Sequence, residues 1–155
     1  MGLLNYTTQI SVEKTVGEIQ GMLSRGKARA VLVEFDGAGN PVALSFKVET
    51  PHGNVAFKLP ADPRPVLAIL NRQVHEGKIP RRFQNDVDQS RRVSWRIVKD
   101  WIAAQLALVE TGMVSIEQVF LPYAQDPGTG QTLYERLVES KFDRLALPPC
   151  TATAA

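Results

Sequence analysis

The stretch SRRVSWRIVKDWIAAQLALVETG, residues 90–112, decides the fold of this chain. Its apolar residues recur every three or four positions, which predicts one amphipathic helix of about six turns that begins at Ser90 and ends near Gly112. The predicted buried stripe is Val93, Ile97, Trp101, Ala104 and Leu108, widened by Val98, Ile102, Leu106 and Val109. Trp95 falls off this stripe, so we expect it either to contact a partner or to be covered by the preceding loop.

The residues before this helix predict a small antiparallel sheet. Alternating apolar residues at 30–35, 42–48 and 55–59 are separated by turn-forming residues at 36–40 and 50–54, which indicates a three-stranded meander. A helix that starts either at Ser11 or at the capping box of Thr15 and Glu18, and that is ended by Gly26, precedes the meander. Alternation over residues 4–10 predicts an additional edge strand.

Shorter helices are predicted around the central one. A helix follows Asp62 and Pro63, residues 75–89 have no clear period and predict a long exposed loop, and two capping boxes open short helices at Ser115 and Thr132. On the last helix and beyond it, a set of apolar side chains is expected to pack inward. This set is Tyr134, Leu137, Val138, Phe142, Leu145 and Leu147.

The resulting class is α+β, with a three- to four-stranded antiparallel β-meander packed with helices on one face, in the order β-α-β-β-β-α-α-α-α. At 155 residues the chain predicts a single domain, residues 1–147, followed by a disordered tail, residues 148–155. No apolar run reaches the roughly 18–20 residues of a membrane helix, and the N-terminus lacks the layout of a signal peptide. The single Cys150 excludes an internal disulfide, which fits the cytoplasm, where we expect the protein to act.

Enzymatic signatures are missing from the sequence. His52, His75 and Cys150 have no metal-ligand spacing, and no G-x-S-x-G motif is present. The glycines at 37–39 and 128–130 match no phosphate-binding loop and are typical of turns. We therefore expect a non-enzymatic protein without a metal or cofactor.

Charge is distributed unevenly along the chain. Residues 72–99 hold eight Lys or Arg and three Asp or Glu, a net charge of +5, whereas residues 100–155 have a net charge of −4. A basic cluster of this kind is typical of a nucleic-acid-binding surface, because it attracts a polyanion. The alternatives are a solvated face or pairing with the acidic C-terminal third. The candidate nucleic-acid-binding residues are Lys78, Arg81, Arg82, Phe83, Arg91, Arg92, Trp95, Arg96 and Lys99.

One feature of this set favours single-stranded DNA as the ligand, and a second indicates a contact. Phe83 is flanked by Arg82 and follows Arg81, and an exposed aromatic beside arginines suits base stacking; the alternative is a loop anchor packed into the body. Arg91 and Arg92 fall in the first turn of the predicted helix, where the helix dipole repels cations. Their placement there indicates a contact rather than a role in folding.

Several stretches resemble a group of small proteins encoded by bacteriophages and prophages, whose functions are not characterised. They are residues 5–8 (NYTT), 14–19, 44–53, 92–101 (RVSWRIVKDW), 120–123 (FLPY) and 132–135 (TLYE). The resemblance spans about residues 5–140 and implies a phage origin and action in the host cytoplasm. It is compatible with two hypotheses: an oligomeric single-stranded-DNA-binding protein of replication or recombination, or a protein-interaction module that self-assembles or inhibits a host factor.

Overall fold

The computed structural model describes residues 1–149 and has the predicted α+β class. The helices are α1 (Val12–Arg25), α2 (Arg64–His75), α3 (Val87–Glu110), α4 (Ile116–Phe120) and α5 (Leu133–Glu139). The strands are β1 (Ala28–Phe35), β2 (Pro41–Thr50) and β3 (Gly53–Leu59). Most of the predicted tail, residues 150–155, lies outside the described residues.

The three strands form the predicted antiparallel meander in the order β1-β2-β3. Asp36 closes the first hairpin, because its carboxylate accepts hydrogen bonds from the backbone N–H groups of Ala38 and Asn40, both at 2.9 Å. The backbone and side chain of Asn40 thereby lower the pKa of Asp36. Phe46 and Phe57 are paired across β2 and β3 and stack with ring centroids 5.2 Å apart on the buried face.

Helices α1 and α3 cover that face and run in the same direction. Glu18 of α1 faces Arg96 of α3 near one end, and Gly26 lies against Leu106 at the other. Trp95 and Ile102 of α3 enter the main core with residues from α1 and the sheet. The groove on the opposite face of the sheet is lined by no helix residue of the described range, and its lining combines Ala30, Ser45 and Lys47 with the exposed Leu32.

A second, smaller core lies under α2. Leu70, Ile79 and Phe83 are buried there, with Leu3 and Tyr6 of the N-terminal segment packed against them. The prediction that residues 75–89 form a long exposed loop is therefore wrong for Ile79 and Phe83, which are buried. Residues 81–83 form a short 3₁₀ turn, which is fastened to α2 where the backbone N–H of Asn85 donates to Asn71 Oδ1 at 2.7 Å.

The predicted strand at residues 4–10 is absent. Residues 4–7 form consecutive turns, with Asn5 at a φ of 63° and the N–H of Tyr6 donating to the carbonyl of Leu3. Asparagine adopts this left-handed conformation at low cost, and a single such residue interrupts an alternating strand. The Gln89 side chain then holds the segment by donating to the carbonyls of Tyr6 and Thr8.

Helix α3 differs from its prediction in its start and in its buried face. It begins at Val87, because the Asp86 carboxylate accepts a hydrogen bond from the Gln89 backbone N–H at 2.9 Å, whereas Ser90 lies inside the helix. The side chains on the main core are Trp95, Val98, Trp101, Ile102, Leu106 and Val109. Two members of the predicted stripe are covered, because Val93 is fully buried and Trp101 packs on the main core. The prediction is wrong for Ala104, which is exposed. Helix α3 has more than one apolar side because it packs on α1, α2, α4 and the sheet.

The C-terminal packing prediction is also wrong in part. Tyr134 and Val138 of α5 are about half exposed, and Phe142, Leu145 and Leu147 are exposed as well. Helix α5 is only seven residues long and packs on the 3₁₀ turn at Leu121–Tyr123 rather than on the main core. So short a helix has one narrow buried side, and its remaining apolar residues face outward.

The N-cap of α3 makes a testable contribution to stability. We expect Asp86→Ala to lower the free energy of unfolding by about 1 kcal/mol, because the first turn of α3 loses the acceptor for the Gln89 N–H. Asp86→Asn keeps a good capping side chain and should stay within about 0.5 kcal/mol of wild type. Urea denaturation of both variants measures this, and equal losses would contradict capping at this position.

Candidate nucleic-acid interface

Arg96 and Lys99 are used inside the fold. The guanidinium of Arg96 is paired with Glu18 and donates to Thr15 Oγ1 at 3.4 Å, and its side chain is only 14% exposed. Lys99 lies 3.5 Å from the carboxylate of Asp100 and is largely covered. Arg96 therefore holds α1 against α3, and a phosphate would have to displace Glu18 to reach it.

Arg91 and Arg92 are also engaged locally. Arg91 Nη1 lies 3.1 Å from Asp88 Oδ1, and Arg92 donates two hydrogen bonds to Gln89 Oε1. Because α3 begins at Val87, both arginines lie in its second turn, where repulsion by the helix dipole has largely decayed. The two arginines therefore do not lie in the first turn as predicted, and the dipole gives no sign of a contact there. Arg92 supports the Gln89 side chain, whereas Arg91 pairs with Asp88.

The two predicted aromatic contacts are buried. Phe83 is 4% exposed and meets the ring of Tyr6 edge-on, with centroids 5.4 Å apart. Trp95 is 2% exposed within the main core. Neither ring is open to a nucleobase, so the loop-anchor interpretation of Phe83 is the correct one. For Trp95, the spacings of three residues to Val98 and seven residues to Ile102 were the signal that placed it on the core.

The remaining predicted cations, Lys78, Arg81 and Arg82, follow the end of α2, whose last turn adds Arg72 and His75, two residues that were not predicted. We define the basic lobe as Arg72, His75, Lys78, Arg81 and Arg82. The only acid between residues 72 and 85 is Glu76, so this segment carries a net charge of +3 with neutral histidine. Helix α2 ends at His75, the chain reverses at Gly77, which has a φ of 70°, and it returns through Pro80 into the 3₁₀ turn. That turn packs on α2 and brings the two halves of the lobe together.

Within the lobe, Glu76 neutralises part of the charge. Its carboxylate lies 2.6 Å from Lys78 Nζ and 4.0 Å from Arg72 Nε. The hydrogen bond from Lys78 lowers the pKa of Glu76, and the charges of Lys78, Arg72 and His75 act in the same direction. The carboxylate is therefore ionised at neutral pH and competes with any anion for these two cations.

Arg81 and Arg82 are exposed and form no ion pair with the described part of the chain. The Arg82 guanidinium lies over the Phe83 ring, 4.9 Å from its centroid. A cation–π contact of this kind orients the guanidinium while leaving its N–H groups open to an acceptor. Two adjacent, open guanidinium groups can hold phosphate oxygens in pairs.

Two concave surfaces occur elsewhere. A cleft of about 140 Å³ lies between the N-termini of α1 and α3 and the first hairpin, where Arg91 and Arg92 stand beside Glu13 and Asp88. A shallow groove of about 380 Å³ follows the uncovered face of the sheet. Within residues 1–149, no cluster of three or more His, Cys, Asp or Glu side chains is arranged to hold a metal.

None of the helices within that range combines the length and apolar character needed to cross a membrane. Comparison with protein-family models, curated proteins and solved structures gave no match. The basic lobe therefore has to be interpreted from its own geometry and charge.

Proposed function

We propose that this is a non-enzymatic, phage-type nucleic-acid-binding protein that holds phosphate groups through its basic lobe. The observation that carries the proposal is the pair Arg81 and Arg82, both exposed and both without an ion-pair partner in the described structure. All five other predicted cations have partners within the chain, and of these only Lys78 is near the pair in the sequence. They are Lys78, Arg91, Arg92, Arg96 and Lys99. The candidate surface thus narrows from residues 78–99 to the end of α2 and the following turn.

The chemistry of the lobe favours contact with the phosphate backbone. Arginine and lysine bind phosphate without regard to sequence, and their contribution comes from counterion release. The preference for single strands depended on base stacking by Phe83, which is buried. We therefore propose that the lobe binds the phosphate backbone, in replication or recombination. Labelled single- and double-stranded oligonucleotides of equal length compare the affinity for the two forms directly.

A gain of affinity on removing Glu76 is the sharpest first test. Glu76→Gln frees Lys78 and Arg72 from their carboxylate and raises the net charge of the lobe by one. At about 1 kcal/mol for one such interaction in water, we expect about fivefold tighter binding at low salt. Fluorescence anisotropy with a labelled 20-mer measures the dissociation constant.

Glu110→Gln is the matched control for this test. It makes the same change in net charge at the exposed end of α3, away from the lobe, and should leave affinity within about twofold, as a long-range charge effect is screened. Equal gains in both variants would mean that overall charge, not the lobe, governs binding. No gain in Glu76→Gln would remove the lobe from the interface.

The protein-interaction hypothesis has one specific observation in its favour, the unpaired edge of β1. The earlier basis for it, pairing of the basic segment with the acidic C-terminal third, is weakened because several acids of that third have local roles. Asp126 pairs with Arg136, Glu135 caps α5, and Glu139 accepts from Gln131. The remaining basis for a protein-interaction module is association through the open edge of the sheet.

A further inference from the structure

Strand β1 presents an open edge of the sheet. The other edge, β3, is covered by the chain itself, because the Gln125 N–H donates to the carbonyl of Ala56 at 2.8 Å and Ala124 bridges to Phe57. Strand β1 pairs only with β2, and its outer backbone groups form no hydrogen bond with any other part of residues 1–149. An unpaired edge of this kind is a template for another strand.

The usual protections of an edge are weak in β1. Between Ala28 and Phe35 there is no proline or lysine and the charged residues are Arg29 and Glu34 alone, while Leu32 and Phe35 are 60% and 61% exposed. Irregularities at both ends of the pairing with β2 leave a regular run from Ala30 to Glu34. A protein that leaves such a run open at its surface has an apolar, hydrogen-bonding surface that suits association.

We propose that β1 pairs antiparallel with β1 of a second copy, so that two three-stranded sheets join into one of six strands across a two-fold axis at Leu32. With the axis there, Val31 lies opposite Val33 of the second copy and Leu32 lies opposite its equivalent. Residues directly opposite share a face, so both helical layers stay on one side of the joined sheet. This interface is independent of nucleic acid.

Charge complementarity favours a second copy of this chain as the partner of the open β1 edge. The same register places Glu34 of the second copy opposite Ala30, and Lys47 stands on the other side of Ala30 in β2. Ala30, Glu34 and Lys47 all line the open face of the sheet, and the small alanine leaves room for the lysine to reach the carboxylate. The two-fold axis generates this pair of Lys47 with Glu34 of the second copy twice. If the axis were at Val31 or Val33, Glu34 would no longer lie opposite Ala30 and the pair would not form.

Helix α1 adds to the surface area that the proposed dimer would bury. Five paired residues on each strand are too few for a stable dimer, which buries about 1,200–2,000 Å² in total. Helix α1 packs on β1, and since Glu18 faces α3, its opposite side carries Gly17, Gln20 and Ser24, all exposed. Nothing lies within 4 Å of a Cβ built on Gly17. Two α1 helices can therefore approach closely across the axis.

Cysteine cross-linking tests the position of the axis. Opposed residues of antiparallel strands have Cα atoms about 4.5–5.5 Å apart, within disulfide range. In a Cys150→Ser background, we expect Leu32→Cys to form a covalent dimer on mild oxidation, and light scattering of the wild type to give about twice 17.1 kDa. Met113→Cys, equally exposed on another surface, is the control. A wild-type monomer at all concentrations, or equal cross-linking of both variants, would overturn the proposal.

Exchanging the charges of Glu34 and Lys47 tests the register of the two β1 strands without an introduced cysteine. Glu34→Lys and Lys47→Glu should each raise the dimer dissociation constant about tenfold, since each variant replaces two exposed ion pairs with like charges. The double variant should return it to within about threefold of wild type. The two residues do not oppose each other within one sheet, where Glu34 faces Ala43 and Lys47 faces Ala30. Rescue therefore reports contact between copies, and failure of rescue would overturn pairing at Leu32.

Discussion

Replacing Trp95 with alanine should lower the free energy of unfolding by about 3–5 kcal/mol. Its indole is buried between α1, the sheet and α3, so truncation removes a large apolar side chain and leaves a cavity that the neighbouring core cannot fill. A loss of this size is a large part of the roughly 5–15 kcal/mol that stabilises a domain. Urea denaturation followed by circular dichroism measures it.

Met113→Ala is the comparison for Trp95. Met113 is exposed beyond the end of α3, and its truncation should change stability by no more than about 0.5 kcal/mol. If Trp95→Ala cost less than about 1 kcal/mol, the indole would lie at the surface, as its position off the predicted stripe implied. The predicted contact of Trp95 with a partner would then regain its basis.

Removing the two open arginines should produce the largest change in nucleic-acid binding. Arg81→Gln/Arg82→Gln keeps the fold, because neither guanidinium is buried and Phe83 retains its contact with Tyr6. At about 1 kcal/mol per phosphate contact at low salt, we expect about thirtyfold weaker binding. The dependence of log K on log salt should flatten by about 1.4 for single strands.

Lys14→Gln/Arg25→Gln is the matched variant for this comparison. It removes two positive charges from exposed positions on α1 and lowers the net charge by the same amount. We expect affinity to fall by no more than about threefold, as the removed charges make no phosphate contact. Equal losses in the two double variants would show that binding follows net charge and has no defined surface at residues 81 and 82.

Local signals in the sequence were sufficient for much of the fold. Ser11 and Gly26 bound α1 as predicted, the capping boxes at Ser115 and Thr132 are both formed, and the two turns of the meander lie where glycine and asparagine indicated. Each of these features depends on residues within a few positions of one another. Such short-range chemistry can be recognised without a partner.

The errors occurred where distant residues decide the outcome. Arg96 is seventy-eight positions from Glu18, the carboxylate that pairs with it, and Gln89 is more than eighty from the carbonyls that it holds. No local pattern reveals that these side chains are already occupied. The buried side of α3 was ambiguous for a related reason, since a helix in contact with several elements has apolar residues around most of its circumference.

The basic segment predicted from the sequence covers residues that differ widely in exposure. Arg81 and Arg82 are exposed within it, whereas Arg96 is largely covered, and exposed cations such as Lys14 and Lys47 lie outside it. The sequence could not separate Arg81 and Arg82 from Arg91 and Arg92, which have partners in the first turn of α3. Burial of Phe83 followed from the second core under α2, which forms only when the N-terminal segment folds back.

The salt dependence of oligonucleotide binding by the wild-type protein tests the central claim most directly. Four of the lobe's side chains, Arg72, Lys78, Arg81 and Arg82, are permanent cations, and three or four phosphate contacts predict a slope of log K against log salt of about −2 to −3 for a single-stranded oligonucleotide. Fluorescence anisotropy from about 20 to 300 mM salt gives this slope. Absence of binding at the lowest salt, or affinity that does not change with salt, would contradict the account.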